Sequence, residues 1–231
     1  SKIESWINKE VYTEKFPEIS LSVLTKDPKD IARPKDEPTL LYNAMIHPIK
    51  QFTIKGTIWY QGESNLNNPQ VYKRLFPAMV RSWRKEWNQG EFPFYYVQIA
   101  PYDYGRKNAD KTEAAEIRQV QLECLKEIPN AGMVVTADIG NRTCVHPSDK
   151  ESVGKRLALW ALAKTYQRSG TPYSGPLYKS FTIDKEKIIV EFDYAEMGMT
   201  SYDREIVGFE IAGKDGIYYP AKAVLFDNKT K

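Results

Sequence analysis

Gly56-Thr-Ile-Trp-Tyr-Gln-Gly-Glu-Ser-Asn65 is the segment that decides the fold. An apolar run with strand character occupies residues 52–60 and stops at five small or polar residues. Gly62 lets the backbone turn tightly, and its neighbours carry hydrogen-bond donors and acceptors. Ligands bind at the carboxyl ends of strands in open α/β sheets. The segment predicts a strand that ends in a site, although a strand with an ordinary polar turn fits the same pattern.

The composition is that of a globular protein with a sizeable core. The chain has 231 residues, of which 42% are hydrophobic and 13% aromatic. This length suits one domain, or one domain with part of another. The net charge of +3 and the lack of a long Lys/Arg cluster argue against a nucleic-acid partner. We expect no membrane span, because no apolar run approaches the roughly 20 residues that a bilayer requires.

The cysteines and histidines do not have the spacing of a metal site. The chain has two of each, Cys124, Cys144, His47 and His146, and they lie far apart. No zinc-binding pattern is present, so we expect no metal. Two cysteines do not form a disulfide framework, and the sequence leaves open whether they pair.

Strand and helix patterns alternate through the first 170 residues. Nearly continuous apolar runs at 52–60, 94–99 and 133–137 predict strands that are buried on both faces. Helices are expected from Asn68, as cap, with Pro69 in the first turn, at 113–126, and after the capping box Ser148-Asp-Lys-Glu151. Pro77 is expected to kink or split the first of them. The order predicts an α/β fold with a mainly parallel sheet between two helical layers.

The pattern changes near Gly170. Residues 171–176 have the composition of a linker, and the runs that follow at 181–184, 187–192, 206–211 and 217–226 read as strands. We therefore expect one domain at 1–170 and a β-rich region at 177–231. The β-rich region is expected to be incomplete.

A second polar cluster follows the third predicted strand. Asp138 ends this strand, and His146 comes eight residues later, before the next helix. A carboxylate that accepts from one imidazole nitrogen leaves the other nitrogen free to take a proton from a hydroxyl nucleophile. The amides of Gln61 and Asn65 are suitable oxyanion donors. The alternative is a surface histidine with an ordinary hydrogen bond.

These motifs resemble a known family. Trp59-Tyr-Gln-Gly-Glu-Ser-Asn65, Asp138-Ile-Gly-Asn141 and His146-Pro-Ser-Asp-Lys150 look like the sialate O-acetylesterases, which belong to the SGNH (GDSL-like) hydrolases. The resemblance also covers 41–46 and parts of 208–223. It implies a three-layer α/β/α, flavodoxin-like catalytic domain at 1–170. It also implies removal of O-acetyl groups from sugars through a serine acyl-enzyme, without metal or cofactor.

The resemblance also implies roles for individual residues. His146 is the general base, and Asp138 orients it. Gln61, Gly62 and Asn65 form the oxyanion or substrate-binding side. Glu63 orients the loop or assists His146, or it is itself the triad acid in place of Asp138.

The nucleophile is the departure from the family pattern. The family carries its serine in a Gly-Gln-Ser-Asn segment near the start of the catalytic domain, and this chain contains no such segment. We expect the nucleophile upstream of Ser1, so that the catalytic domain lacks its first part here, and that part could also be supplied as a separate chain. Ser1, Ser5, Ser64 and Ser148 are weaker candidates, because a nucleophile must contact its base.

The expected partner is an O-acetylated sugar or glycan. No residue selects sialic acid over xylose or rhamnose, so an acetylxylan or other plant-polysaccharide deacetylase is an alternative. A catalytically inactive carbohydrate-binding fragment is another. The resemblance implies a periplasmic or secreted protein.

Overall fold

A parallel sheet lies at the centre of the fold. A computed structural model describes residues 1–18, 21, 26–104, 112–196 and 198–225. Its three parallel strands are β1 (Thr57–Tyr60), β2 (Phe94–Val97) and β3 (Ala131–Val134), in the spatial order β1-β2-β3. Thr57 pairs with Phe94, which pairs with Ala131. The three strands begin and end in the same register, so their carboxyl ends lie together at one edge of the sheet.

Helices cover both faces of this sheet. They are α1 (Lys9–Lys15), α2 (Pro69–Trp87), α3 (Glu113–Glu127) and α4 (Lys150–Trp160), and α4 continues as a π-helical turn at Ala161–Thr165. A second π-helical turn spans Tyr42–Ile46, and short 3₁₀ turns occupy Ile3–Trp6, Pro28–Asp30, Pro34–Asp36, His47–Ile49 and Glu63–Asn65. Residues of α2 and α3 pack on one face, and residues of α4 on the other. The predicted α/β fold with helices on both faces is confirmed.

Side chains of β2 alternate between the two faces. Tyr96 meets Phe76 of α2 at 4.9 Å between ring centroids. Tyr95 meets Trp160 of α4 on the other face at 5.8 Å. All four residues of β2 are buried, as predicted. The two-residue period of a strand therefore fills both cores from one short segment.

The prediction that β1 is buried on both faces is wrong. Trp59 packs edge-on against Trp83 of α2 at 5.5 Å and is 8% exposed. Ile58, whose side chain lies on the opposite face, is 69% exposed. The reason is that α4 packs on β2 and β3, so it leaves this face of β1 uncovered within the described residues.

Helix α2 is not split at Pro77. It runs for 19 residues through the proline, whose ring is buried. Proline removes one backbone hydrogen bond, and the buried row Tyr72, Leu75, Phe76, Met79 and Val80 offsets that loss. Pro69 takes the first helical position, as predicted, but the Asn68 side chain makes no capping bond. Instead the backbone N–H of Asn68 donates to Asn65 O at 2.9 Å, because the 3₁₀ turn leads directly into the helix.

The capping residue of α4 is Asp149, so the predicted box of Ser148 and Glu151 is wrong. Asp149 Oδ1 accepts from Ser152 N at 2.9 Å, and Oδ2 accepts from Ser152 Oγ at 2.7 Å. Glu151 turns outward and pairs with Lys155 at 2.5 Å. The helix begins one residue later than predicted, and the aspartate provides the same N-terminal acceptor that the serine would have provided.

The chain divides into two compact units, Ser1–Tyr173 and Ser174–Lys231. The second unit pairs β4 (Leu177–Asp184) with β5 (Lys187–Asp193) and β6 (Glu210–Ala212) with β7 (Tyr218–Pro220), both antiparallel. Ile206 and Ala223 form an isolated bridge. The predicted run at 217–226 ends outside the described residues.

Candidate active site

Three loops leave the carboxyl ends of the strands and form the candidate site. The loops after β2 and β3 are bonded to each other: Asn141 N donates to Pro101 O at 3.1 Å, and Asp103 N donates to Arg142 O at 3.0 Å. Gly140 permits this approach, because a Cβ there would lie 2.5 Å from Pro101 O. The two loops are therefore joined by backbone hydrogen bonds at the edge of the sheet where the turn after β1 also lies.

Gln61 and Asn65 form a buried amide pair. Gln61 Nε2 donates to Asn65 Oδ1 at 2.9 Å and to Ser1 O at 2.8 Å. Asn65 Nδ2 donates to Glu4 Oε2 at 2.8 Å, and its Oδ1 also accepts from Ile3 N at 2.8 Å. Gln61 is 7% and Asn65 2% exposed. The structure thus brings together the two predicted oxyanion donors and uses them to hold residues 1–4 against the turn.

Gly62 is required by close packing. A Cβ at this position would lie 2.6 Å from Ile99 Cγ2 and 3.0 Å from Gln121 Nε2. The turn after β1 therefore presses against α3 and the loop after β2, and only a hydrogen fits between them.

Glu63 is half-buried in the same turn. Burial first, and then the charge of Glu63, raises the pKa of Tyr60 and of Tyr104. The Nζ atom of Lys150 lies 4.9 Å from the centroid of the Tyr60 ring. The carboxylate therefore acts electrostatically on the end of β1 and on the loop after β2.

Asp138 is bound to Arg156 of α4. Arg156 Nη1 donates to Asp138 Oδ1 at 2.8 Å and Nη2 to Oδ2 at 2.6 Å, while Nη1 also reaches Val135 O at 2.7 Å. These bonds to Arg156 hold the pKa of Asp138 below its usual range. The guanidinium thus ties α4 to the loop that follows β3.

His146 is exposed and lies in the same loop as Asp138. Its backbone O accepts from Cys144 Sγ at 3.1 Å. Within the described ranges, no hydrogen bond joins its ring to Asp138, which is paired with Arg156 instead. The structure therefore places the predicted base and acid in one loop without bonding them, and their roles stay predictions.

The serines weighed as nucleophiles have other partners or lie in the open. Ser1 Oγ accepts from Trp6 Nε1 at 2.9 Å, and Ser5 Oγ donates to Lys2 O at 2.7 Å. Ser64 Oγ accepts from the amino nitrogen of Ser1 at 3.1 Å. Ser148 is exposed. In the part of the chain that the structure describes, none of these hydroxyls bonds to His146.

The sequence patterns did not identify two residues that shape the site, Arg156 and Gln121. The sequence gives Arg156 no distinguishing signal, because a basic residue two turns into a helix is ordinarily solvated. Gln121 sits beside Val120 on the apolar face of α3 and is fully buried. A polar residue on an apolar helical face was the available signal, because burial of an amide requires partners.

Metal-binding and membrane-spanning features are missing from the described part of the chain. Over the described residues, no group of three His, Cys, Asp or Glu side chains is arranged to hold a metal ion. No described helix combines the length and apolar character needed to cross a membrane. Both cysteines are free thiols, Cys124 buried and Cys144 exposed.

Sequence comparison identifies relatives over most of the first unit. The family model described as carbohydrate esterase, sialic acid-specific acetylesterase, matches residues 8–163. The sialate O-acetylesterase of Rattus norvegicus is 33% identical over 68% of this chain and 32% of its own length. That of Homo sapiens is 33% identical over 72% of this chain and 35% of its own length. The chain thus spans about a third of the curated relatives that it matches.

Comparison with solved structures identifies a similar fold. The crystal structure of a carbohydrate acetylesterase from Xanthomonas citri superposes with a TM-score of 0.84 at 34% identity, over 99% of this chain and 49% of that one. The resemblance predicted from the strand-end motifs is confirmed by both comparisons. The chain belongs to the carbohydrate esterase family of sialic acid-specific acetylesterases.

Proposed function

We propose that this chain supplies most of the active site of a serine esterase that removes O-acetyl groups from sugars. The observation that carries the proposal is the convergence of two polar loops at one sheet edge. The Gln61–Asn65 turn follows β1, and the Asp138–His146 loop follows β3. Membership of an acetylesterase family supports the reaction class.

The proposed reaction proceeds in two acyl-transfer steps. A serine Oγ attacks the acetyl carbonyl carbon while His146 takes its proton, and a tetrahedral oxyanion forms. The C–O bond to the sugar breaks, the sugar oxygen receives the proton from His146, and an acetyl-serine remains. Water then repeats the sequence, with His146 again as base, and releases acetate.

The oxyanion side is proposed to consist of Gln61, Gly62 and Asn65. Both hydrogens of Gln61 Nε2 already have acceptors, Ser1 O and Asn65 Oδ1. For this side chain to donate to the oxyanion, its hydrogen bond to Ser1 O has to break. One oxyanion donor is typically worth about 10²–10³ in kcat.

Two carboxylates compete for the role of triad acid. Asp138 shares a loop with His146, and although both its oxygens accept from Arg156, a carboxylate has about four lone-pair sites in total. Glu63 is half-buried in the turn after β1. If Asp138 is the acid, Asp138→Asn lowers kcat far more than Glu63→Gln does. If Glu63→Gln instead causes the larger loss in kcat, Glu63 is the triad acid.

The serine itself is proposed to lie outside these 231 residues. The family resemblance places it in a Gly-Gln-Ser-Asn segment, and the chain contains no such segment. It can belong to the same polypeptide or to a second one. Intact-mass spectrometry of the purified protein distinguishes these arrangements.

The two histidines offer a matched test of the proposed base. Both are exposed and precede a proline, and His47 lies away from the strand ends in a 3₁₀ turn. In a protein that carries the serine segment, His146→Ala should lower kcat on p-nitrophenyl acetate by about 10²–10⁴, the usual contribution of a general base. His47→Ala should leave kcat close to wild type. Full activity of the His146→Ala variant would refute the assignment.

Carbohydrate binding without catalysis is the second candidate. It is favoured by the engagement of the Gln61 and Asn65 amides with residues 1–4. A protein that carries the serine segment, incubated with an acetyl ester, separates the two hypotheses, because the 231 residues alone are expected to lack the nucleophile in either case. No turnover, together with thermal stabilisation by a sugar, supports binding. Parallel assays with O-acetylated sialic acid and acetylated xylo-oligosaccharides decide between sialate and xylan-type substrates.

We propose a periplasmic or secreted location, because glycan substrates of this class lie outside the cytosol. The family resemblance supports this. Cell fractionation of the source organism, with the protein detected by antibody, tests it.

A further inference from the structure

Gln121 is a fully buried polar side chain in the apolar face of α3. Its exposure is 0%, equal to that of Ile117 and Cys124 on the same helix. Burying an amide is unfavourable unless its donor and acceptor groups are bonded. The partners of this side chain therefore identify what it does.

The Gln121 amide joins the chain that leaves β1 to the chain that leaves β2. Its Oε1 accepts from Ile99 N at 2.9 Å. Its Nε2 donates to Gln61 O at 3.2 Å and makes a longer contact with Val97 O at 3.5 Å. Each partner is a backbone group within two residues of a strand end, so the amide acts on the main chain of the site loops.

The amide occupies the point where the two strands separate. Tyr60 and Val97 are the last pair of the β1–β2 ladder, and the next residue of the β2 chain, Gln98, donates instead to Val134 O of β3. Backbone groups beyond the ladder need partners other than the neighbouring strand when they lie in the interior. Gln121 satisfies Gln61 O and Ile99 N across this gap.

Neighbouring contacts fix the Gln121 backbone and the turn that its side chain holds. Tyr96 Oη donates to Gln121 O at 2.6 Å, and Tyr72 Oη donates to Gln61 O at 3.3 Å. Gly62 lies against the same amide, where even a Cβ would approach Nε2 to 3.0 Å. The turn that carries Gln61, Glu63 and Asn65 is therefore held by a side chain from α3.

We propose that Gln121 is a positioning residue, which holds the turn after β1 and the loop after β2 at the separation that the reaction requires. The proposal deepens the proposed esterase function and rests on it for its catalytic consequence. Gln121 does not touch the substrate. It acts through the main chain at Gln61, so its loss should lower kcat more than it changes KM.

Hydrogen exchange of the 231-residue chain tests the positioning role and does not require enzymatic activity. Gln121→Leu and Gln121→Met both remove the two bonds at similar volume, and neither introduces an ionisable group that could donate to Gln61 O when protonated. Cys124→Ala is the matched control, because it lies one turn away with the same burial. In both Gln121 variants, backbone amides of 61–65 and 98–100 should exchange about tenfold faster, as expected when one buried hydrogen bond is lost. Denaturant is used to bring the variants to the same global stability. Under these conditions Cys124→Ala should show no faster exchange at 61–65 or 98–100.

The outcomes separate this inference from the proposed function. Equal exchange at 61–65 in the Gln121 variants and the control overturns the positioning role. If Gln121→Leu does not fold, Gln121→Met and Gly62→Ala, which presses on the same contact from the turn, must show the faster exchange, or the proposal fails. In the protein with the serine segment, the Gln121 variants should lower kcat at least tenfold with little change in KM. Faster exchange in the Gln121 variants, together with no esterase activity in the wild-type protein that carries the serine segment, supports the positioning role and refutes the esterase.

Discussion

At the residue scale, Arg156 controls the charge of Asp138. Two bonds from the guanidinium hold the pKa of this carboxyl below its usual range. A carboxyl with a depressed folded-state pKa stabilises the fold at pH above its unfolded pKa, and this contribution is lost as pH falls through the folded pKa. Because the Asp138 side chain is 61% exposed, solvent screens the pair and its contribution to stability is small.

Replacing Arg156 should therefore change titration more than stability. In Arg156→Met, we expect the pKa of Asp138 to rise to or above its ordinary value of about 3.9, because partial burial then acts without a compensating cation. Carboxyl-carbon NMR over the acidic pH range measures it. Lys155→Met is the control, since Lys155 pairs with Glu151 instead. An Asp138 titration that is the same in wild type and Arg156→Met would contradict the pairing.

At the element scale, α4 packs directly on the backbone of β3. A Cβ at Gly132 would lie 2.4 Å from the Trp160 ring, and Trp160 Nε1 donates to Met133 O at 3.2 Å. Gly154, on the exposed side of the same helix, has nothing within 4 Å of its Cβ position. One glycine is therefore required by packing, and the other only adds flexibility to a helix.

Alanine at these two glycines should have opposite effects on the free energy of unfolding. Gly132→Ala is expected to destabilise the protein by about 1–3 kcal/mol, because the added methyl group forces the Trp160 ring away. Gly154→Ala should stabilise it by about 0.5–1 kcal/mol, since alanine loses less backbone entropy in a helix. Urea unfolding measures both. A neutral Gly132→Ala would show that α4 can move away from the sheet at little cost.

At the scale of the whole molecule, the chain consists of two compact units with a boundary after Tyr173. Tyr173 belongs to the first unit, where its ring lies 4.7 Å from that of Trp160, and Lys164 Nζ lies 4.4 Å from its centroid. The last residue of the first unit therefore completes the core between α4 and the sheet.

A protein that ends at Tyr173 should keep the fold of the first unit. We expect cooperative thermal unfolding with near-ultraviolet circular dichroism retained. A protein that ends at Gly170 should be less stable by about 0.5–1.5 kcal/mol, the usual value of one aromatic contact. Tyr173→Ala in the full chain should reproduce this loss. Non-cooperative unfolding of the longer fragment would show that the first unit depends on the second.

Features that depend on local pattern could be predicted from the sequence. Apolar runs, helical spacing and Pro69 at a helix start give the order of elements, because each arises from the periodicity or backbone preference of neighbouring residues. The position of polar residues after β1 and β3 then predicts a site at one sheet edge. That edge exists because parallel strands end together.

Features that depend on contacts between distant segments were decided by the tertiary structure. Arg156 reaches Asp138 across 18 residues, and Gln121 reaches Gln61 across 60. The exposure of Ile58 depends on where α4 packs. Asp149 and not Ser148 is the N-cap of α4 because the helix begins at Lys150. The sequence alone thus determined the elements and the residue types of the site, whereas the fold chose their partners, because hydrogen bonds and burial between remote segments exist only once the chain is packed.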